Sequence, residues 1–538
     1  MVRLRPRTGR EPSVKDTDET VPSNPGERDF SAESSTAASP DDPRSAMGGV
    51  LEQEALIEAE GRIKSGKLAG RTLLSAILVV AIPVLFQQSM AATVGLIDKI
   101  LAGRLPGEIV DSALDAIGIG SYISWFVGIA MAGLGIGGQV IIARSMGSGN
   151  KRDAHDALGQ SLTLALVWGT FVGLLLWLLI FPLASIADLS PEATELLEDY
   201  VLTIAASMPL CGILMVGSMC LYGAGETIMP ALIMVAVNLV NVVSSWLLSG
   251  VDLAFQDMVL ENPTEIDPLT SGVAGIAGGT AIAYLVGAVL IVLALMRGVH
   301  DLGLQRRALR PTRRMFARIL KIGVPSFLEG ISMWGVNIFV LGFIGVIIAT
   351  NHQTGTGPIE GLVGAHAVAI QWEAFSFMPG FALGTAAGTI AGQYLGAGNV
   401  RMARTAIITC TGIAMVFMGL VGLCFIFFGT QLTRVISDQP VLLEEVPKLL
   451  LICGSIQVFF ALNMVVRQGL RGVGDTRWTL LITTVSSYGV RLPLAYLFGV
   501  TLEMGLPGIW LGLCGEIVVR GMLFTARFLH GGWSRLKV

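Results

Sequence analysis

Glu329, Glu373, Glu516 and Arg491 lie deep inside long apolar stretches of this sequence, and Asp98 stands near the end of another. A charged side chain at the centre of a bilayer costs about 2.5–3.5 kcal/mol on insertion scales. An acid in such a place is therefore a candidate to carry a proton or hold a cation, because burial and exposure favour different protonation states of a carboxyl. Glu329 lies about 11 residues, or about 16 Å, inside its stretch. Glu373 and Glu516 reach similar depth from the opposite side, and Arg491 from the same side. Four ionisable groups at one level are expected to face the protein interior. Two arrangements are open: Glu329 and Glu373 share a proton in a common cavity, or Arg491 neutralises one Glu in an ion-paired plug. For Asp98 the alternatives are a proton carrier and an interfacial acid neutralised by Lys99. Asn238 and Asn241 are three apart and share a helix face, either as cation ligands or as a hydrogen bond between helices. Trp334, Phe375 and Met378 are candidates to line a cavity for flat organic cations, the alternative being packing.

The elements that hold these residues follow from composition. The chain has 538 residues, of which 53% are apolar and 14% charged, with 66 glycines and a mean hydropathy of +0.69. Soluble proteins carry about 25% charge, so a soluble enzyme, a disordered scaffold and a nucleic-acid binder are poor fits. The six cysteines and five histidines are dispersed, so neither a metal site nor a cofactor is expected. Apolar runs long enough to span a bilayer fall near residues 72–100, 114–144, 154–184, 193–222, 227–250 and 273–297. Six more fall near 316–349, 361–395, 400–430, 442–470, 478–500 and 505–530. An all-α integral membrane protein of about twelve spans results. Residues 1–66 are polar and Pro/Ser-rich and read as a disordered tail, with Leu51, Ala55, Ala59 and Ile63 spaced for a short amphipathic helix.

Basic residues mark one side of the membrane: Lys64, Lys67, Arg71, Lys151, Arg152, the arginine-rich segment 297–321, Arg401, Arg404, Arg471 and Arg477. The opposite loops are acidic, so both termini are expected in the cytoplasm of a cell-membrane protein. The chain is also duplicated. Gly147-Ser148-Gly149-Asn150 recurs as Gly396-Ala397-Gly398-Asn399, and Gly223-Ala224-Gly225-Glu226-Thr227 as Gly472-Val473-Gly474-Asp475-Thr476, both at an offset of 249. Two halves of six spans each, 67–300 and 301–538, enter the membrane in the same sense, a parallel repeat typical of alternating-access transporters. A membrane-bound transferase would need a clustered nucleophile or acid/base set at the surface, and no such set is evident.

Pro83 fifteen residues before Asp98, the two GxGN turns, Gly-x-Gly-[Glu/Asp]-Thr before the fifth and eleventh spans, Asn238, Asn241 and Val490-Arg491-Leu492-Pro493 occur in this order. On these motifs, over about residues 70–530, the chain resembles the multidrug and toxic compound extrusion family of cation-coupled antiporters. The resemblance implies two pseudo-symmetric six-helix lobes forming a V around a central cavity, and exchange of protons or sodium for small organic, often cationic, compounds. It marks Asp98 as the first-helix carboxylate and sets the Asn238–Asn241 face beside it. Ser245 stands where some relatives carry a further carboxylate, which points to protons over sodium. A seventh-helix glutamate of some relatives lies one turn beyond Glu329. Related folds also flip lipid-linked saccharides, a reading that a wide basic cavity would favour. A monomer in the bilayer, without nucleic acid, is expected.

Overall fold

The computed structural model describes residues 62–538 apart from 187–189, 256–257, 356–357, 359 and 537. The expected tail through residue 61, with Leu51, Ala55 and Ala59, lies outside the described residues. Among the described residues eleven helices are long and apolar enough to cross a membrane, and a bent pair makes a twelfth span. They form because a chain in lipid must satisfy its backbone hydrogen bonds within itself. In the first half these are α1 (Leu73–Ala102), α2 (Val110–Ser148), α3 (Lys151–Ile186), α4 (Pro191–Gly223), α5 (Ile228–Ser249) and α6 (Pro268–Arg297). The second half contains α7 (Arg313–Thr354), α8 (Leu362–Gly396), α9 (Val400–Ile436), α10 (Pro440–Ser455), α11 (Gln457–Gly472), α12 (Thr476–Thr501) and α13 (Gly505–His530). Outward faces stay apolar: Phe171, Leu174, Leu178 and Phe181 of α3 are all exposed.

Three features escaped the periodicity. The tenth span is broken, α10 and α11 meeting at 58°. Gly454 of α10 packs backbone to backbone against Gly422 of α9, and the Gly454-Ser455 step absorbs the bend. Within α12, Ser487–Arg491 winds as a π-helix in which the Leu492 N–H bonds to the Ser487 carbonyl. Pro493, two residues on, has no N–H to return to the Gly489 carbonyl and its ring crowds that carbonyl, and the chain widens ahead of it. Between α5 and α6 the acidic connection forms a two-stranded antiparallel hairpin, β1 (Leu253–Phe255) with β2 (Met258–Leu260), pairing Ala254 with Val259.

Helices α1–α6 pack as one lobe and α7–α13 as another, joined chiefly where α2 meets α7 and α8, and α1 meets α8. The repeat is legible in these contacts. A Cβ on Gly147 would run into the backbone of Gln393, and a Cβ on Gly396 into the backbone of Arg144; the two contacts are mates at the offset of 249. Gly223 against Gln139 and Gly472 against Gly388 are a second such pair, one within each lobe. The glycines of the GxGN turns thus also let α2 and α8 cross closely at the end of the molecule that carries the basic residues. At mid-depth the lobes still touch, through Gly330 against Ile129 and Ser89 Oγ 3.8 Å from Met378 Sδ. Beyond them Trp125 and Phe375 are exposed.

Polar contacts close the basic end. Arg318 of α7 donates to both carboxylate oxygens of Asp153 of α3, at 2.8 and 3.1 Å. Arg144 donates to the carbonyls of Leu536 and Val473, and Gln139 to Thr389 across the lobes. Residues 62–66, assigned by composition to the tail, are tied here: the Lys64 N–H bonds to the Gly147 carbonyl and Ser65 Oγ to that of Met146. Lys67 reaches Glu226 at 2.9 Å. Burial by itself would raise the Glu226 carboxyl, but the Lys67 ammonium and the N–H groups of Met229 and Ile228 hold it below the usual carboxylate range.

Candidate coupling and substrate sites

In the first lobe four helices converge on one carboxylate. Asp98 of α1 is 4% exposed, and the Tyr200 hydroxyl of α4 donates to its Oδ2 at 3.4 Å. Asn241 of α5 and Thr280 of α6 lie against the same carboxyl and bond to each other at 2.9 Å, Asn241 donating. Asn241 also donates to Ser245 at 3.3 Å, while Asn238 turns its amide to the Met234 carbonyl. Asp98 Oδ1, Asn238 Oδ1 and Asn241 Oδ1 are buried and have no hydrogen-bond donor among the described residues. Lys99 is exposed and forms no ion pair with Asp98, since consecutive helix positions point about 100° apart.

Every other fully buried carboxylate among the described residues has a cation beside it. Glu226 has Lys67, Glu445 has Lys448, and Asp475 has Arg527. Glu329 has Arg467 and Arg471, and Glu516 has Arg491 and Arg520. Asp98 alone is surrounded by neutral groups.

In the second lobe Glu329 of α7 accepts from Thr479 and Thr483 of α12 at 2.9 and 3.0 Å. Arg467 and Arg471 of α11 approach it at 3.7 and 3.8 Å. Arg491 donates to Glu516 Oε2 at 2.9 and 3.2 Å, and Arg520 stands 3.2 Å from Oε1. Glu373 of α8 is partly exposed; the charged groups it faces are Arg491 and Arg520. Glu329 and Glu373 are therefore not paired: Glu329 stands among α11 guanidiniums and α12 hydroxyls, whereas the charged groups around Glu373 are those of α12 and α13. Trp334 is partly exposed and Phe375 packs on Trp372.

The mid-depth charge of this lobe is not mainly acidic, as a count of Glu329, Glu373 and Glu516 implies. Arg467, Arg471 and Arg520 belong to it. Arg471, read as a loop charge, lies in the last turn of α11 with its side chain turned inward. The spacing of four between Arg467 and Arg471, and between Glu516 and Arg520, was the available signal, since it sets each pair on one helix face. Tyr200 and Thr280 carried no signal of their own.

Twelve spans in two parallel halves, meeting at one end and enclosing buried charge, define a secondary membrane transporter. The MatE family model matches residues 83–247 and 330–497. The chain belongs to that family: it is a cation-coupled antiporter of the multidrug-efflux class and not an enzyme. It is 24% identical over 462 residues to a probable multidrug resistance protein NorM of Thermotoga maritima, covering 86% of this chain and 93% of that one. A MATE transporter crystallised in the bent conformation superposes with a TM-score of 0.74 at 22% identity, covering 85% of this chain and 95% of the other. An outward-facing MATE transporter gives 0.72 at 23% identity, covering 86% and 96%.

Proposed function

We propose that this chain exports small organic compounds in exchange for protons, that Asp98 is the coupling carboxyl, and that Tyr200, Asn241 and Thr280 position it. What supports the assignment is that Asp98 is the buried carboxylate with no cationic partner among the described residues. A group locked to a guanidinium changes its protonation only at the cost of stranding a buried charge, whereas a carboxyl among neutral hydroxyls and amides exchanges a proton without breaking an ion pair. Asn238 sits one turn from Asn241 on α5 and serves the same face. Glu329 and Glu373 are then second-lobe groups: Glu329 holds arginines in place, and Glu373 answers the Arg491–Glu516–Arg520 cluster. The basic end is the cytoplasmic one, both termini face the cytoplasm across the cell membrane, and one chain, carrying both halves of the cleft, is the transporting unit.

Sodium is the second reading. The donor-free oxygens of Asp98, Asn238 and Asn241 favour it, since sodium seeks several oxygen ligands. Efflux of a fluorescent organic dye from proteoliposomes under separately imposed proton and sodium gradients distinguishes the two. A proton gradient is expected to drive efflux at equal sodium on both sides, and Asp98→Asn to cut that response about a hundredfold or more in folded protein, the lower end of what one proton-transfer group contributes. Efflux that follows sodium alone overturns proton coupling, and full efflux by Asp98→Asn overturns the site. The flippase reading gains nothing: Arg471 is the one basic residue lining the cavity where the lobes join, not the wide basic wall that reading calls for.

A further inference from the structure

The buried charge of the second lobe does not balance. Two carboxylates, Glu329 and Glu516, each stand between two guanidiniums, and Glu373 faces a pair of guanidiniums already used. Four arginines thus meet three acids, and Arg471, at 3.8 Å, stands farthest of the four from an acid. Its nearest acid, Glu329, is 3.8 Å away and is hydrogen-bonded by Thr479 and Thr483, and Arg467 also claims it. The Arg471 side chain donates no hydrogen bond to any described residue, although a guanidinium carries five N–H donors.

Arg471 lines the cavity where the lobes join, together with Gln139 of α2, Tyr222 of α4, Thr385 of α8 and Gln468 of α11. Tyr222 is spent on Gln87, Gln139 on Thr389 and Thr385 on the Phe381 carbonyl. Gln468, like Arg471, has no hydrogen-bond partner among the described residues. Met219, Ile136 and Phe381 form the apolar part of the wall. The cavity therefore offers a guanidinium held to Glu329 only at 3.8 Å and hydrogen-bonded to no described residue, one amide without a described partner, and apolar flanks, in the cleft between the lobes.

We infer that Arg471 and Gln468 receive a carboxylate carried by the exported organic compound, so that acidic or zwitterionic molecules, and not simple cations, are the preferred cargo. A planar guanidinium matches a carboxylate in two parallel hydrogen bonds. A volume of about 80 Å³ accommodates that group with a few waters, leaving the apolar body of the molecule against Phe381 and Met219. Because the site is built from α2, α4, α8 and α11, its geometry depends on how the lobes meet, and a ligand here is held only while the basic end is closed. The inference names the substrate class of the antiport reading above and rests on it.

The test uses the full chain in nanodiscs and proteoliposomes, with a rhodamine bearing a free carboxylate and its methyl ester, two probes that share the same cationic ring system. The acid is expected to bind roughly tenfold more tightly than the ester, the advantage of one charge-assisted pair. Arg471→Gln should erase that ratio by weakening the acid while leaving the ester within about twofold. Gln468→Leu, which touches no buried charge, should weaken the acid about threefold and keeps the test decisive if Arg471→Gln fails to fold. Equal binding of the two probes, binding of neither, or a preference that survives both substitutions overturns the inference. Proton-driven transport is scored separately. Ester export without an acid preference sinks this inference alone, and Arg471-dependent acid binding without export of either probe sinks the antiport reading alone.

Discussion

Asp98, Glu329 and Glu516 are chemically alike and differ in what surrounds them. Asp98 meets a phenol, an amide and a threonine hydroxyl, whereas Glu516 lies between Arg491 and Arg520 with no exposed surface. Stability and transport should separate along that line. Removing one partner of a buried pair strands the other at about 3–5 kcal/mol. Glu516→Leu, which strands two guanidiniums, is expected to lower stability by at least that much in detergent unfolding, and adding Arg491→Leu should restore part of it. Asp98→Asn replaces a carboxyl by a similar shape among groups that hydrogen-bond an amide equally well. It should leave the melting temperature nearly unchanged. A melting loss for Asp98→Asn as large as that for Glu516→Leu would remove the distinction between an exchanging acid and a structural one.

At the scale of elements, the duplicated glycines act as crossing points. A valine at Gly147 would press on the Gln393 backbone and one at Gly396 on the Arg144 backbone, an overpacking of about 1–3 kcal/mol at an interface free to relax by separating. Spin labels at the exposed Arg152 and Arg401 are expected to report a longer distance in both variants, with the same sign because the contacts are mates. An unchanged distance would show that the crossing yields locally. The strap before α1 is governed by charge. Glu226 is held below the usual carboxylate range in the folded protein, so its contribution is present above the unfolded value of about 4.3 and is lost as pH falls through the folded one. Proteolysis near Lys67 should therefore rise in mild acid, and Glu226→Gln should show the same susceptibility at neutral pH. Resistance in Glu226→Gln would exclude this ion pair as the tether.

For the whole molecule the question is what holds the basic end shut while the other opens. Arg318 bridges the lobes to Asp153, both side chains being partly exposed, at 29% and 26%, so the pair is of the modest kind, about 0.5–1 kcal/mol. That suffices to shift a near-balanced equilibrium between closed and open ends several-fold. Arg318→Ala is expected to increase the population with the basic end open, read from the same labelled pair. Asp153→Asn should do likewise, and the double variant should add little to either. Full additivity would mean that each residue acts through other contacts, such as the bond from Arg318 to the Val538 carbonyl.

Some of this was available to sequence alone because it rests on local quantities. Apolar run length sets the spans, charge on alternate connections marks the basic end, and an identical offset between two motif pairs reveals the repeat. Those placed the twelve spans to within a few residues, and the family resemblance, through the Pro83–Asp98 spacing, picked out the carboxyl that the first lobe encloses. The broken tenth span and the π-helix at Ser487–Arg491 have only weak local signatures, a Gly-Ser step and a proline, which are common in membrane helices that stay regular. The partners of Glu329, Glu373 and Glu516 were not legible. Depth along a helix follows from counting, but which side a residue presents to its neighbours follows from how helices far apart in sequence rotate and cross. Glu329 and Arg471 are separated by 142 positions and meet only because α7 and α11 both pack around α12 and α13. Tertiary packing alone could decide that Arg471 turns inward, that Glu373 faces arginines, and that Asp98 has none.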